Sequence, residues 1–195
     1  MRSIAMLLAI CVPGAAFGAT VISDTHISFV YAPADPLANV ALSVQQGAIG
    51  GDVTGVWFQF SPASATEFTL EPKLTNLDEG SDWYLVEQGD SFTRQGISNG
   101  DFAPVLVANG TWDTVTVGSD FYLGVNTGGL PPDSRESIGW VHLQFVNNAL
   151  TMVGNGMAYN APGIIVGTTT VVPEPSTVGL CLACIAGVAA LRRRK

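Results

Sequence analysis

Through the middle of the chain, apolar residues tend to fall on every second position. In Thr20 to Tyr31, Val21, Ser23, Thr25, Ile27 and Phe29 alternate with Ile22, Asp24, His26, Ser28 and Val30. A period of two is the signature of a strand with two distinct faces. Further candidate strands run over 40–44, 53–60, 67–70, 83–87, 104–108, 111–117, 121–125, 137–145, 150–159 and 164–172. Turn formers separate them, among them Gly50-Gly51-Asp52, Asp78-Glu79-Gly80, Asn99-Gly100-Asp101 and Gly128-Gly129. Asn109-Gly110 between two such runs predicts a hairpin with a type I′ turn. Pro33 to Pro36 and Leu130 to Asp133 read as longer loops, and no long stretch has helical spacing. Many short strands and no helix predict an all-β domain, a β-sandwich or jelly roll.

The two ends follow other patterns. Met1-Arg2-Ser3 carries one positive charge, Ile4 to Val12 is apolar, and Pro13-Gly14 leads to the small residues of Ala16-Phe17-Gly18-Ala19. That order is a secretory signal peptide over 1–18, cut after Gly18. At the other end Pro173-Glu174-Pro175 is followed by Ser176, Thr177, an apolar run from Val178 to Leu191, and Arg192, Arg193, Arg194 and Lys195. Proline biases the residue before it away from helix, so 172–175 should be extended, the shape a protease cleft grips. Fourteen apolar residues make about 21 Å of helix at about 1.5 Å each, short of a hydrocarbon core of about 30 Å. A transmembrane helix over 176–191 is therefore expected to be a temporary anchor. Glu174 should sit at the outer boundary and the four basic residues on the cytoplasmic side.

Removing both ends changes the charge. Residues 19–172 hold three basic side chains (Lys73, Arg94, Arg135) against fifteen acidic ones, a net −12, where the whole chain has −8. Such a field repels nucleic acid and anionic membrane surfaces. All three cysteines, Cys11, Cys181 and Cys184, lie in the two ends, so no disulfide staples the domain although an exported compartment would permit one. Cys181-x-x-Cys184, inside an apolar helix, reads as a pair of small apolar residues.

Candidate chemistry is sparse. The histidines are His26 and His142. Alternation puts His142 with Trp140 and Gln144, opposite Val141, Leu143 and Phe145, and so on a surface or groove. Asp78, Glu79 and Asp82, or Asp90 and Asp101, could ligate calcium, but their spacing is not that of an EF-hand loop and solvated turns are the expected reading. Glu67 with Glu71, or Asp78 with Asp82, could serve as acid and base of a glycoside hydrolase if they faced one cleft. Trp57, Trp83, Trp112 and Trp140 could stack on sugar rings. Trp57, between Val56 and Phe58, is expected in the core. No hydrolase, zinc-protease or phosphate-loop motif is present. The expectation is a non-enzymatic domain with no catalytic residue, cofactor or metal.

Taken together, Pro173-Glu174-Pro175-Ser176-Thr177, the apolar run with Gly179 and Gly187, and Arg192 to Lys195 resemble the PEP-CTERM sorting signal. The resemblance implies a substrate of exosortase, a membrane-embedded cysteine-type processing enzyme of exopolysaccharide-producing, biofilm-forming bacteria. Pro173, Glu174 and Pro175 would be the recognition triplet, and Val178 to Leu191 with the basic tail the anchor. It further implies an inner-membrane intermediate, then a place at the cell surface or in the extracellular matrix. There the role would be structural or adhesive beside exopolysaccharide, with a carbohydrate-binding module, calcium-assisted or not, as the alternative. Gly139-Trp140-Val141, Tyr159-Asn160 and Pro162-Gly163 are similar to a closing hairpin of domains that carry this signal, which supports the β reading.

Overall fold

The computed structural model describes residues 20–23, 27–35, 37–45, 53–75, 81–107, 113–127 and 137–173. Within the unit Ala19–Val172 the chain forms β1 (Thr20–Ser23), β2 (Ile27–Tyr31), β3 (Val40–Gln45), β4 (Val53–Pro62), β5 (Phe68–Thr75), β6 (Ser81–Val86), β7 (Ser91–Thr93), α1 (Arg94–Asn99), β8 (Ala103–Leu106), β9 (Val115–Val117), β10 (Asp120–Thr127), β11 (Ser137–Val146), β12 (Ala149–Tyr159) and β13 (Gly163–Ile165). A six-stranded sheet has the order β1-β12-β11-β10-β6-β8, and a five-stranded sheet the order β2-β3-β4-β5-β9. All their pairings are antiparallel. The all-β expectation holds, and the two sheets form a sandwich around a shared core.

Alternation builds that core. Val40, Leu42 and Val44 of β3, Val56, Phe58 and Phe60 of β4, and Phe121, Leu123 and Val125 of β10 all turn inward and pack in one cluster. At one end four rings bridge the sheets. Phe60 stacks on Phe68 at 4.6 Å and meets Phe121 at 6.0 Å and Phe145 at 5.5 Å. Elsewhere in the core Trp83 meets Phe58 edge-on at 6.0 Å. Its indole N–H donates to Ser81 Oγ at 2.8 Å, which satisfies a polar atom that would otherwise be costly to bury. Asn39 closes the β2–β3 end in the same way, its side chain both donating to and accepting from the backbone of Phe60.

The six-stranded sheet is covered on its second face as well. Tyr84, Val86, Ile138, Trp140 and Ala158 project away from the sandwich core into a second cluster with Phe92, Ala161, Ile164 and Val166. The cover is the β7–β13 ribbon with α1 beside it. Thr93 caps α1, its Oγ1 accepting from Gly96 N at 2.9 Å, and Gly100 ends it at φ 80°. Six residues are too few to display helical spacing, so this helix left no periodic trace in the sequence. β11 is consequently buried on both faces over Ser137–Val141, which explains its nearly continuous apolar run.

Three sequence expectations change. The run from Thr20 to Tyr31 is two strands in different sheets, β1 beside β12 and β2 beside β3. Alternation fixes faces, but it does not say which sheet a strand joins. The strands flanking Asn109-Gly110 join different sheets, β8 beside β6 and β9 beside β5, while Asp113 N donates to Val105 O at 3.1 Å between the two runs; the predicted turn itself, within 108–112, lies outside the described residues. Val105 and Val117 both face the common core, one from each sheet, so the chain crosses the sandwich there. Among the described residues a two-residue hairpin joins β11 to β12, turning on Asn147 (φ 53°) and Asn148 (φ 60°). Asparagine tolerates this left-handed region better than other residues with a side chain. Finally, 164–172 is not one strand: Gly167 at φ 79° reverses the chain after β13, and Val171 bridges back to Ile164.

Candidate functional site

The end of the domain is held by a short chain of backbone bonds. Ile165 N donates to Thr170 O at 2.9 Å and Val172 N to Gly163 O at 3.0 Å. The Val171 side chain packs on the second cluster. Trp140 Nε1 donates to Thr168 O at 2.9 Å, pinning the turn to β11. On the other side, Arg94 donates from Nη1 to Ala161 O at 2.5 Å, and its backbone N–H to Pro162 O at 3.1 Å. Pro173 follows directly and is exposed. Glu174, Pro175, the expected anchor from Val178 to Leu191, and Arg192, Arg193, Arg194 and Lys195 lie outside the described residues, as does the expected signal peptide over 1–18. Among the described residues no helix is long and apolar enough to cross a membrane.

A second feature is an open groove of about 550 Å³ beside the uncovered end of the six-stranded sheet. Glu87, Asp90, Asp101 and Asp120 line it together with Phe102 and Tyr122, and no lysine or arginine is among its lining residues. Asp90 is used locally, accepting from Glu87 N at 2.8 Å. On the open part of the sheet face, Asp120 Oδ1 lies 2.5 Å from His142 Nε2, and Oδ2 accepts from Gln144 Nε2 at 3.1 Å. These bonds, that to His142 foremost, hold the Asp120 carboxyl below its ordinary range. Tyr122 stacks on His142 at 4.1 Å, and burial, with the Asp120 charge adding to it, pushes its phenol up. His142 is thus on the outward face, as alternation predicts, and oriented by a carboxylate that sequence reading did not pair with it.

The remaining candidates are dispersed. Glu71 is engaged by Lys73 at 2.7 Å, while Glu67 is exposed before β5. Asp82 Oδ2 accepts from Asn126 Nδ2 at 3.5 Å. Asp78, Glu79, His26 and Trp112 lie outside the described residues. Among the described residues no three His, Cys, Asp or Glu side chains converge so that they could hold a metal ion.

The tryptophans separate. Trp83 is fully buried and Trp140 nearly so. Trp57, expected in the core, instead points out of the five-stranded sheet and is 38% exposed, because Val56, Phe58 and Phe60 hold the inward parity of β4. Gln59 carried the signal: a polar residue between Phe58 and Phe60 marks the outward face that Trp57 shares.

No curated protein and no solved structure matches the chain. A family model does match residues 171–195, from the last bridge of the domain through the basic end. Those residues are a PEP-CTERM protein-sorting motif, the C-terminal sorting signal of exosortase substrates.

Proposed function

We propose that this chain is exported behind its signal peptide, held briefly in the inner membrane by residues 176–191, and processed at Pro173-Glu174-Pro175 by an exosortase. The released sandwich then serves a structural or adhesive role at the cell surface or in an exopolysaccharide matrix. The sorting motif at 171–195 carries this reading. A domain without cysteine, closed by a packed core and carrying a net −12, suits life outside the cell without staples. Glu174→Ala tests the proposal in the host. Export should persist, and immunoblots should show the full-length form accumulating in membranes at the expense of the shortened product. Unchanged processing would remove the triplet from recognition. A second reading, a carbohydrate-binding module, is favoured by one observation, the outward-facing Trp57.

A further inference from the structure

We propose that the groove at the end of β6 is a binding site for a small linear polyamine, a chain of ammonium groups joined by methylene spacers. This goes beyond the sorting reading above and does not rest on it.

The sheet register opens the groove. β6 stops at Val86, opposite Tyr122, whereas β10 begins at Asp120. Beside Asp120 and Phe121, therefore, β10 has no β6 neighbour. β8 reaches along β6 only to Ala103, opposite Leu85. In the other sheet the edge strand β9 ends at Val117, and the chain crosses to β10 through Gly118 and Ser119. These strand ends enclose about 550 Å³. Clefts of about 300–1,000 Å³ are usual for small ligands.

Floor and rim differ in character. Leu85, Val117 and Phe121 line the groove from the side of the sandwich core. The carboxylates of Glu87, Asp90, Asp101 and Asp120 come from four separate points: the end of β6, the entry to β7, the link from α1 to β8, and the start of β10. Their backbone is fixed in advance. Asp90 N donates to Glu87 O at 3.1 Å, Val166 N to Asp90 O at 2.9 Å, and Asp101 N to Gly96 O at 2.9 Å. The half-buried rings of Phe102 and Tyr122 complete the wall.

This distribution selects the occupant. A metal ion needs several donors around one point, and among the described residues no three acidic side chains converge in that way. An elongated cation can meet separated carboxylates one after another. Its methylene spacers suit the apolar floor, and its ammonium groups suit both the carboxylates and the aromatic faces. No lysine or arginine lines the groove to compete with it. The net −12 of the domain draws in cations and repels anionic ligands. A polypeptide partner is the weaker fit, because the groove is concave and of small-molecule size.

Gly118 supplies the means to test the place as well as the charge. A Cβ there would meet only Asp120 O, at 3.9 Å. A larger side chain at 118 therefore enters the groove without displacing the fold.

The test is isothermal titration calorimetry of the full chain in nonionic detergent at about 0.15 M salt, where distant charges are screened. Spermidine should bind saturably, one per chain, and more tightly than butylamine or magnesium chloride. Gly118→Leu should abolish binding while keeping the unfolding temperature. Glu87→Gln and Asp101→Asn should each weaken it roughly two- to fivefold, the range of an exposed ion pair. Asp35→Asn should bind like wild type. It removes one charge near β2, at the opposite edge of the sheet from β9, and keeps an acceptor for Leu37 N and Ala38 N. Absence of saturable spermidine binding would overturn the proposal. So would magnesium binding as tightly, groove variants that bind like wild type, or a loss in Asp35→Asn equal to theirs. Tetralysine binding more tightly than spermidine, and lost in Gly118→Leu, would give the groove to a basic polypeptide instead. No exosortase takes part, so this result is separate from that of Glu174→Ala.

Discussion

Gly124→Ala should loosen the cover of the six-stranded sheet, and its cost follows from the position of one ring. Phe92 is fully buried and lies flat on the outward side of β10 at Gly124. A Cβ there would meet Phe92 Cζ at 2.7 Å, Cε1 at 2.8 Å and Cε2 at 2.9 Å. Carbon atoms pack at about 3.5–4.0 Å, so the ring must retreat by about 1 Å. It has little room to do so. Phe102 stands edge-on at 5.0 Å and Tyr84 lies tilted at 5.8 Å. The backbone of β7 is held by β13, where the Cβ position of Gly163 is already 2.5 Å from Phe92 O. Overpacking of this kind costs about 1–3 kcal/mol. At about 2–4 °C per kcal/mol for a domain of this size, the melting temperature should fall by about 2–12 °C. Urea unfolding of the wild type, Gly124→Ala, Phe92→Leu and the double variant isolates the contact. The smaller, flexible leucine should accept the new methyl, so Gly124→Ala should cost less in that background, with a coupling of about 0.5–3 kcal/mol. Additive costs, equal within about 0.5 kcal/mol, would mean that Phe92 does not rest on Gly124 and that the cover is held by other contacts.

Other predictions use the surface. Hydrogen bonds from His142 and Gln144 favour the ionised Asp120, so its stabilisation is complete above the unfolded-state value of about 3.9 and is lost as pH falls through the lower folded value. Asp120→Asn should therefore destabilise the domain at neutral pH and converge with the wild type in acid unfolding below about pH 4. A gap that widens on acidification would refute the assignment. At the β11–β12 turn, Asn148→Val should cost about 1–2 kcal/mol, because a branched residue resists a left-handed conformation. Asn148→Gly should hold or raise the unfolding midpoint, and a loss with glycine would contradict the turn geometry.

The sequence disclosed faces better than partners. Alternation over 40–44 and 121–125 marks the inward residues of β3 and β10, and the parity of 137–145 alone sets His142 outward. Sheet membership was not legible. Around Asn109-Gly110 the local signal says nothing of the sheets on either side: Val105 and Val117 face the shared core from opposite sheets, although Asp113 N still bonds Val105 O between the two runs. Trp57 was misplaced for a related reason. Its apolar neighbours suggested the interior, whereas the parity set by Gln59 put it outside. Asp120 could not be tied to His142 from sequence, because the two are brought opposite Tyr122 and Gln144 only by the β10–β11 register. The sorting segment was the most legible part, since its recognition rests on the local order of residue types and needs no tertiary contact.

That segment begins where the fold has finished using the chain. Val171 is the last side chain in the second cluster, and Val172 N–H to Gly163 O is the last backbone bond recorded before Pro173. Proline has no N–H to contribute, so the first residue of the triplet cannot extend the pairing to β13. A cut at or beyond Pro173 therefore leaves both clusters whole. A cut three residues earlier would remove Val171, its bridge to Ile164 and the bond to Gly163, and would expose the ribbon that carries Phe92 and covers Trp140. The boundary between fold and tag is thus set by hydrogen-bonding capacity, and a processed product with the same unfolding temperature as the full chain is its measurable consequence.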